Sequence, residues 1–141
     1  MNVFIVGTPI ETAMALDRRR LNKQIIECRQ IIKALNGETR AWANHPATRQ
    51  YKNHVEWLKN YLKCLERYRE GLFASEYYSS LCELESPEWH TREYIDNMKR
   101  RLYTKDKEHY KQWADLGESN VNMYYVDGQW KYYYNNGQIK K

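Results

Sequence analysis

Apolar residues recur at alternating steps of four and three in two stretches of the chain, which is the spacing of one side of an α-helix. The first stripe comprises Leu21, Ile25, Cys28, Ile32 and Leu35. The second comprises Tyr51, Val55, Leu58, Leu62 and Leu65. Two such stripes can pack lengthwise against each other, so the pattern predicts two long helices that share a core.

Local residue types predict where the first helix begins and ends. Residues 8–11 supply a threonine N-cap, a proline at the first helical position and a capping-box glutamate. Asn36 and Gly37 favour the left-handed backbone that stops a helix. We expect an interruption or bend near Leu16 and Asp17, and a strand or buried arm at residues 2–6.

Proline and glycine positions predict the boundaries of the next helices. Pro46, preceded by His45, is expected to begin the second long helix, and Gly71 is expected to end it. Residues 72–85 are interpreted as a loop with one short helical turn, and residues 86–87 as the start of a third helix. The inward residues predicted for this third helix are Ile95, Met98 and Leu102.

The last part of the chain has the pattern of a β-hairpin. Residues 122–126 and 129–133 flank Asp127 and Gly128, a dipeptide typical of a tight type I′ turn. Before them, Thr104 is expected to cap a short helix that continues through Trp113.

The length of 141 residues suits one domain. We therefore expect a mainly α fold over residues 1–141: a single compact domain of three principal helices with a short C-terminal β-hairpin. No apolar run approaches membrane-spanning length, and the opening MNVFIV is too short and uncharged for a signal peptide, so we expect a soluble cytoplasmic protein. Cys28, Cys64 and Cys82 have no CxxC spacing, which favours reduced thiols over a disulfide framework or a zinc site.

The formal net charge of +5 is unevenly distributed along the chain. Residues 17–33 hold six Lys or Arg against two acids, and residues 92–111 hold seven against four, whereas residues 76–88 hold acids and no Lys or Arg. The chain also contains thirteen Tyr and five Trp. Basic residues interleaved with aromatic ones suit a nucleic acid, because phosphates attract cations and bases stack on rings. A Tyr-rich surface for a protein partner would have a similar composition.

Several kinds of site are excluded by their missing motifs. The chain has no Walker loop, GxGxxG, nucleophile elbow, HExxH or PCxxC, and its four His lack metal-ligand spacing. The flank beside the first stripe carries Arg20, Lys23, Gln24 and Glu27. This flank is interpreted either as a solvated surface in which Arg20 or Lys23 pairs with Glu27, or as a catalytic carboxylate within an anion-binding surface.

Three segments resemble a known family. They are LDRRRLNKQIIECRQIIKALNG, AWANHPATRQYKNHVEWL and RRLYTKDKEHY. Together they are similar to small prokaryotic and phage proteins grouped with the pyrimidine-dimer DNA glycosylases of the endonuclease V type. The resemblance implies an all-α DNA-repair enzyme in a bacterium or a phage-infected host cell.

The resemblance also implies roles for particular residues. Enzymes of this family use a free N-terminal amine as the nucleophile and a helical Glu as acid and base, and these roles carry over to Met1 and Glu27. An α-amine has an ordinary pKa of about 8, against about 10.4 for Lys, so an appreciable fraction is nucleophilic at neutral pH. Trp130 and its Lys and Tyr neighbours are similar to the family's aromatic C-terminus.

The resulting prediction is a DNA glycosylase with AP lyase activity, acting as a monomer on double-stranded DNA that contains a damaged or modified base. It implies no metal and no organic cofactor. The residues assigned to DNA binding are Arg18, Arg19, Arg20, Lys23, Gln24, His45, Arg49, Trp57, Lys99, Arg100, Arg101 and Trp130. A non-catalytic nucleic-acid-binding protein on the same scaffold is the alternative, and a Tyr-based protein-interaction module is a third possibility.

Overall fold

The computed structural model describes residues 2–71 and 84–140 and shows a mainly α protein, about 51% helical, with a two-stranded hairpin near its C-terminus. The predicted fold class is therefore confirmed. The chain divides into two compact units, Met1–Pro87 and Glu88–Lys141. The loop predicted at residues 72–85 falls almost entirely outside the described residues, as does Cys82.

The N-terminal unit contains four described helices. They are α1 (Pro9–Ala15), α2 (Arg18–Leu35), α3 (Pro46–Gln50) and α4 (Val55–Arg69). Helices α2 and α4 pack against each other, as the two stripes predicted. Cys28, which belongs to the first stripe, and Cys64 are both buried in these helices. Burial, with smaller contributions from Glu27 and Glu66, raises the pKa of the Cys28 thiol, which keeps it protonated.

The predicted boundaries of the first helical segment are confirmed. Thr8 and Glu11 form a reciprocal capping box, with Glu11 N–H donating to the Thr8 hydroxyl at 3.2 Å and Thr8 N–H donating to the Glu11 carboxylate at 3.0 Å. The expected interruption separates α1 from α2, and the Asp17 side chain caps α2. Gly37, at φ +76°, follows the end of α2.

The prediction of one long helix starting at Pro46 is wrong, because α3 ends at Gln50 and α4 begins at Val55. Between them, Tyr51 N–H bonds the carbonyl only three residues back, at 3.1 Å. In a continuous helix, two residues six positions apart, such as Tyr51 and Trp57, would lie about 240° apart around the axis and would project in different directions. The break instead allows the rings of Tyr51 and Trp57 to stack, with centroids 5.8 Å apart and planes 16° apart.

The C-terminal unit consists of a helix, a 3₁₀ helix and a hairpin. These are α5 (Arg92–Lys105), the 3₁₀ helix Lys111–Leu116, β1 (Val121–Val126) and β2 (Gln129–Tyr134). The strands are antiparallel and in register from Val121 opposite Tyr134 to Val126 opposite Gln129. Asp127 and Gly128 have φ of +53° and +76°, as the predicted type I′ turn requires.

Two predicted helix starts in this unit are wrong. The third helix begins at Arg92 rather than at residues 86–87, because the Thr91 hydroxyl caps it by accepting from Tyr94 N–H at 3.2 Å. Thr104 lies inside α5 and does not cap a new helix. Its hydroxyl donates to the Arg100 carbonyl one turn back at 2.7 Å, a bond that Thr commonly makes within a helix.

Candidate active site

The side chain of Gln24 binds the N-terminal arm, which we define as residues 2–6. Its Oε1 accepts from Phe4 N–H at 2.6 Å, and its Nε2 donates to the Asn2 carbonyl at 2.8 Å. Gln24 is only 2% exposed, and Val3 and Ile5 in the arm are buried. One side-chain amide thus pairs with the arm as a neighbouring β-strand would, which attaches the arm to α2.

Tyr61 of α4 holds the same arm from another helix. Its hydroxyl donates to the Phe4 carbonyl at 2.6 Å and lies 3.4 Å from Gln24 Oε1. The Tyr61 ring is fully buried and stacks on Trp57 at 5.4 Å, with 13° between the planes. We call Gln24 and Tyr61 the arm clamp. At the far end of the arm, Val6 N–H donates to the Thr12 hydroxyl at 3.1 Å.

Glu27 lies on α2, one helical turn after Gln24. Its side chain is 14% exposed, and its carboxylate is 3.8 Å from Nζ of Lys23, whose side chain is 74% exposed. Arg20 pairs instead with Asp17, at 3.2 Å, so Lys23 is the cation beside Glu27. A long pair with an exposed Lys contributes little to stability. The carboxylate is thus largely shielded from water and only loosely held, which suits proton transfer.

His45 is the N-cap of α3, and its Nδ1 accepts from Ala47 N–H at 3.0 Å. Its ring meets Trp42 edge-on, with centroids 5.5 Å apart. Burial lowers the pKa of His45, and the positive charge of the amino terminus lowers it further. The imidazole is therefore neutral near pH 7, with Nδ1 as an acceptor.

The other predicted DNA-binding residues of the N-terminal unit differ in exposure. Arg18 and Arg19 are exposed in the first turn of α2, and Arg49 is exposed on α3. Trp57, which was expected to bind DNA, is only 6% exposed and lies in the ring stack between Tyr51 and Tyr61.

Two predicted phosphate contacts of the C-terminal unit, Lys99 and Arg100, are half-buried on α5. Nζ of Lys99 lies 5.9 Å from the centre of the Trp113 ring. The Arg100 Nε donates to the carbonyl of Leu116 at 2.8 Å, which ties α5 to the end of the 3₁₀ helix.

Arg101 has a different environment, because it is only 4% exposed. Its Nη1 donates to the Asn135 side-chain oxygen at 2.7 Å, while its buried Nε lacks a hydrogen-bond partner within residues 2–71 and 84–140. Burial lowers the pKa of Arg101, opposed by the nearby Tyr124. This geometry favours an internal role for Arg101 between α5 and the segment after β2.

Trp130 is half-buried on β2 within a group of aromatic rings. Its ring centre is 5.2 Å from that of Tyr125 and 5.8 Å from that of Tyr94. Part of the ring therefore contacts protein, so the predicted DNA-binding role would have to use the remaining exposed surface.

Sequence reasoning missed the parts of the site that hold the arm. Asn2, Phe4 and Tyr61 were not predicted as site residues, and Gln24 was assigned to DNA. The sequence pattern contained only an apolar arm and an amide on a helix flank. Neither feature predicts that the two are in contact. Met1, the predicted nucleophile, lies outside the described residues.

Residues 2–71 and 84–140 hold no cluster of three or more His, Cys, Asp or Glu that could bind a metal ion. Among the same residues, none of the helices has the length and apolar character needed to cross a membrane.

Comparison with known proteins finds one similarity, in the N-terminal part. Residues 1–67 match the family model described as pyrimidine dimer DNA glycosylase. The match includes the arm, Gln24, Glu27, His45 and Tyr61, whereas the resemblance of residues 100–110 lies beyond it. No curated protein and no solved structure matches the chain. Over residues 1–67, the chain is therefore similar to the pyrimidine dimer DNA glycosylase family, which supports the resemblance found in the sequence.

Proposed function

We propose that the protein is a DNA glycosylase with AP lyase activity, which removes a damaged or modified base of the pyrimidine-dimer type from double-stranded DNA. The observation that carries the proposal is the attachment of the arm to α2. The Asn2 carbonyl is bound by Gln24, one helical turn before Glu27. Because Met1 precedes Asn2 directly, this anchor tethers the terminal amine to the helix that carries the carboxylate.

In this mechanism, the α-amine of Met1 attacks C1′ of the target nucleotide. A bond forms between nitrogen and C1′, the glycosidic bond breaks, and the base leaves with the bonding electron pair and accepts a proton. Opening of the sugar ring gives an imine. Removal of a proton from C2′ then expels the 3′ phosphate by β-elimination and cuts the strand.

Glu27 is the acid and base in these steps. A carboxylate that is 14% exposed and paired only at 3.8 Å can exchange protons without first breaking a strong ion pair. The amine suits the nucleophilic role because its ordinary pKa of about 8 leaves part of it unprotonated at neutral pH. Lys23 is the alternative nucleophile, since it is the cation next to Glu27.

DNA is held by exposed cations in the N-terminal unit. Arg18 and Arg19 project from the first turn of α2, and Arg49 from α3. Each neutralised phosphate releases counterions, so binding should weaken as the salt concentration rises.

The variant Glu27→Gln tests the assignment of the carboxylate. Gln keeps the shape of Glu but cannot transfer the proton, so cleavage of abasic DNA should fall by a factor of about one hundred or more, with unchanged affinity. Glu66→Gln is the matched control, because Glu66 is also paired with one cation, Arg29, at 3.3 Å. If Glu27→Gln cleaves as fast as the parent, Glu27 is only the partner of Lys23.

Borohydride trapping on abasic DNA tests the nucleophile. The parent protein should form a covalent adduct, and mass spectrometry of the digested adduct should locate it on Met1. An N-terminal extension or acetylation should abolish the adduct, because an amide nitrogen has no available lone pair. An adduct on Lys23 would replace Met1 as the nucleophile, and salt-dependent DNA binding without any adduct would favour the non-catalytic alternative.

A further inference from the structure

We propose that Gln24 is a positioning residue, which with Tyr61 fixes the backbone of the arm so that the terminal amine is presented to the substrate beside Glu27. The inference rests on the proposed amine chemistry and assigns Gln24 a role other than DNA binding. It follows from the hydrogen bonds of the arm clamp, from its burial and from the chemistry of the amide group.

The arm requires a partner with both a donor and an acceptor. The Phe4 N–H donates to an acceptor at 2.6 Å, and the Asn2 carbonyl accepts from a donor at 2.8 Å. One side chain of α2, that of Gln24, supplies both groups. A primary amide offers a donor and an acceptor side by side without a charge. A carboxylate can only accept, and an apolar side chain of similar length can do neither.

Burial makes this clamp rigid. Gln24 is 2% exposed and Tyr61 is fully buried, so water cannot easily replace the bonds that they make. The Tyr61 hydroxyl, at 2.6 Å from the Phe4 carbonyl, ties the middle of the arm to α4 as well. The arm is therefore held by two helices close to its first residue.

Positioning of this kind affects the rate rather than DNA affinity. An amine that must reach C1′ loses rate steeply when it is misplaced, and a displacement of about 1 Å can cost about one hundredfold. The exposed cations Arg18, Arg19 and Arg49 are not residues of the clamp. Loss of the clamp should therefore lower the rate of imine formation and leave the dissociation constant for abasic DNA unchanged.

The main test variant is Gln24→Met, which keeps the length of the side chain and removes both hydrogen bonds. Its single-turnover rate of borohydride trapping should fall at least about tenfold at every pH, with unchanged affinity for abasic duplex DNA. Gln30→Met is the matched control, since Gln30 lies on the same helix, is half-buried and is no part of the clamp. Tyr61→Phe removes only the hydroxyl bonds, and it provides the test if Gln24→Met does not fold.

The variant Gln24→Glu provides a readout that a purely structural role would not change. Its carboxyl group can accept from Phe4 N–H at any pH, but it can donate to the Asn2 carbonyl only when protonated. Its trapping rate, divided by that of the parent at the same pH, should therefore rise as pH is lowered. No such recovery is expected for Gln24→Met.

The outcomes separate this inference from the proposed function. If the parent traps DNA and both a folded Gln24→Met and Tyr61→Phe trap within twofold of it, the positioning role is overturned while the amine chemistry stands. If the parent forms no adduct at all, the proposed function fails and the catalytic use of the clamp fails with it. A slower rate with unchanged affinity, together with recovery of Gln24→Glu at low pH, supports the inference.

Discussion

Replacing Trp57 by Ala distinguishes a structural role for this ring from its predicted role in DNA binding. The ring is 6% exposed and lies between Tyr51 and Tyr61, with centroid distances of 5.8 Å and 5.4 Å. Its neighbour Tyr61 also forms half of the arm clamp. The substitution therefore removes the middle ring of a stack that supports both the break between α3 and α4 and the clamp.

The expected cost is large. Truncation of a buried aromatic ring to Ala costs about 3–5 kcal/mol, a range that includes the loss of ring contacts worth about 0.5–1.5 kcal/mol each. Domains of this size are stable by only about 5–15 kcal/mol. We therefore expect Trp57→Ala to lose about 4 kcal/mol of the free energy of unfolding and Trp57→Phe to lose less, because Phe keeps part of the buried ring surface.

Urea unfolding monitored by circular dichroism measures this loss, provided that the dependence of stability on urea is the same for each variant. Trp42→Ala is the control, since Trp42 is 43% exposed and its removal should change stability by only about 0.5 kcal/mol. A loss below about 1 kcal/mol for Trp57→Ala, combined with weaker DNA binding, would refute the structural role of the stack and support direct DNA binding by Trp57.

Two further predictions concern pH and salt. In the folded protein, the pKa of His45 is lower than its ordinary value of 6.5. At pH values between the folded-state pKa and 6.5, the unfolded chain binds more protons than the folded protein, so stability falls as pH is lowered. His45→Asn keeps an N-cap side chain and should reduce this dependence in thermal unfolding measured from pH 7.5 to about 5, whereas an unchanged profile would exclude His45 as its source. Replacing both Arg18 and Arg19 by Ala should reduce the slope of log affinity against log salt by up to about two units, as titrations of duplex DNA would show. Arg101→Ala should leave that slope unchanged because its guanidinium is buried, and an equal reduction would show that it reaches phosphate.

Features that depend on neighbouring residues were predictable from the sequence. The capping box of Thr8 and Glu11 and the turn at Asp127 and Gly128 each involve residues within a few positions of one another. Their geometry is determined by hydrogen bonds and backbone preferences that act within that short segment. The first part of the α2 stripe was predictable for the same reason, since helical periodicity follows from backbone geometry alone. Leu21, Ile25 and Cys28 are buried as expected, whereas Ile31 is buried in place of Ile32.

Other features were decided by contacts between distant parts of the chain. The break before α4 accompanies the stacking of Tyr51 on Trp57, and helical spacing alone favoured a continuous helix there. The same spacing placed Trp57 on a flank without indicating that rings from two other positions would cover it. Helix propensity and apolar spacing do not predict the helix break or the ring stack, because both depend on which surfaces the side chains contact after the helices pack.

The arm clamp shows this limit most clearly. Gln24 binds Phe4 and Asn2 across 20 and 22 residues, and Tyr61 binds Phe4 across 57. The sequence by itself determined the boundaries of the first helical segment, the hairpin turn and the position of Glu27 on α2. Only the tertiary structure decided that a flank amide would be buried against the arm, because a polar group leaves water only where folding supplies its hydrogen-bond partners.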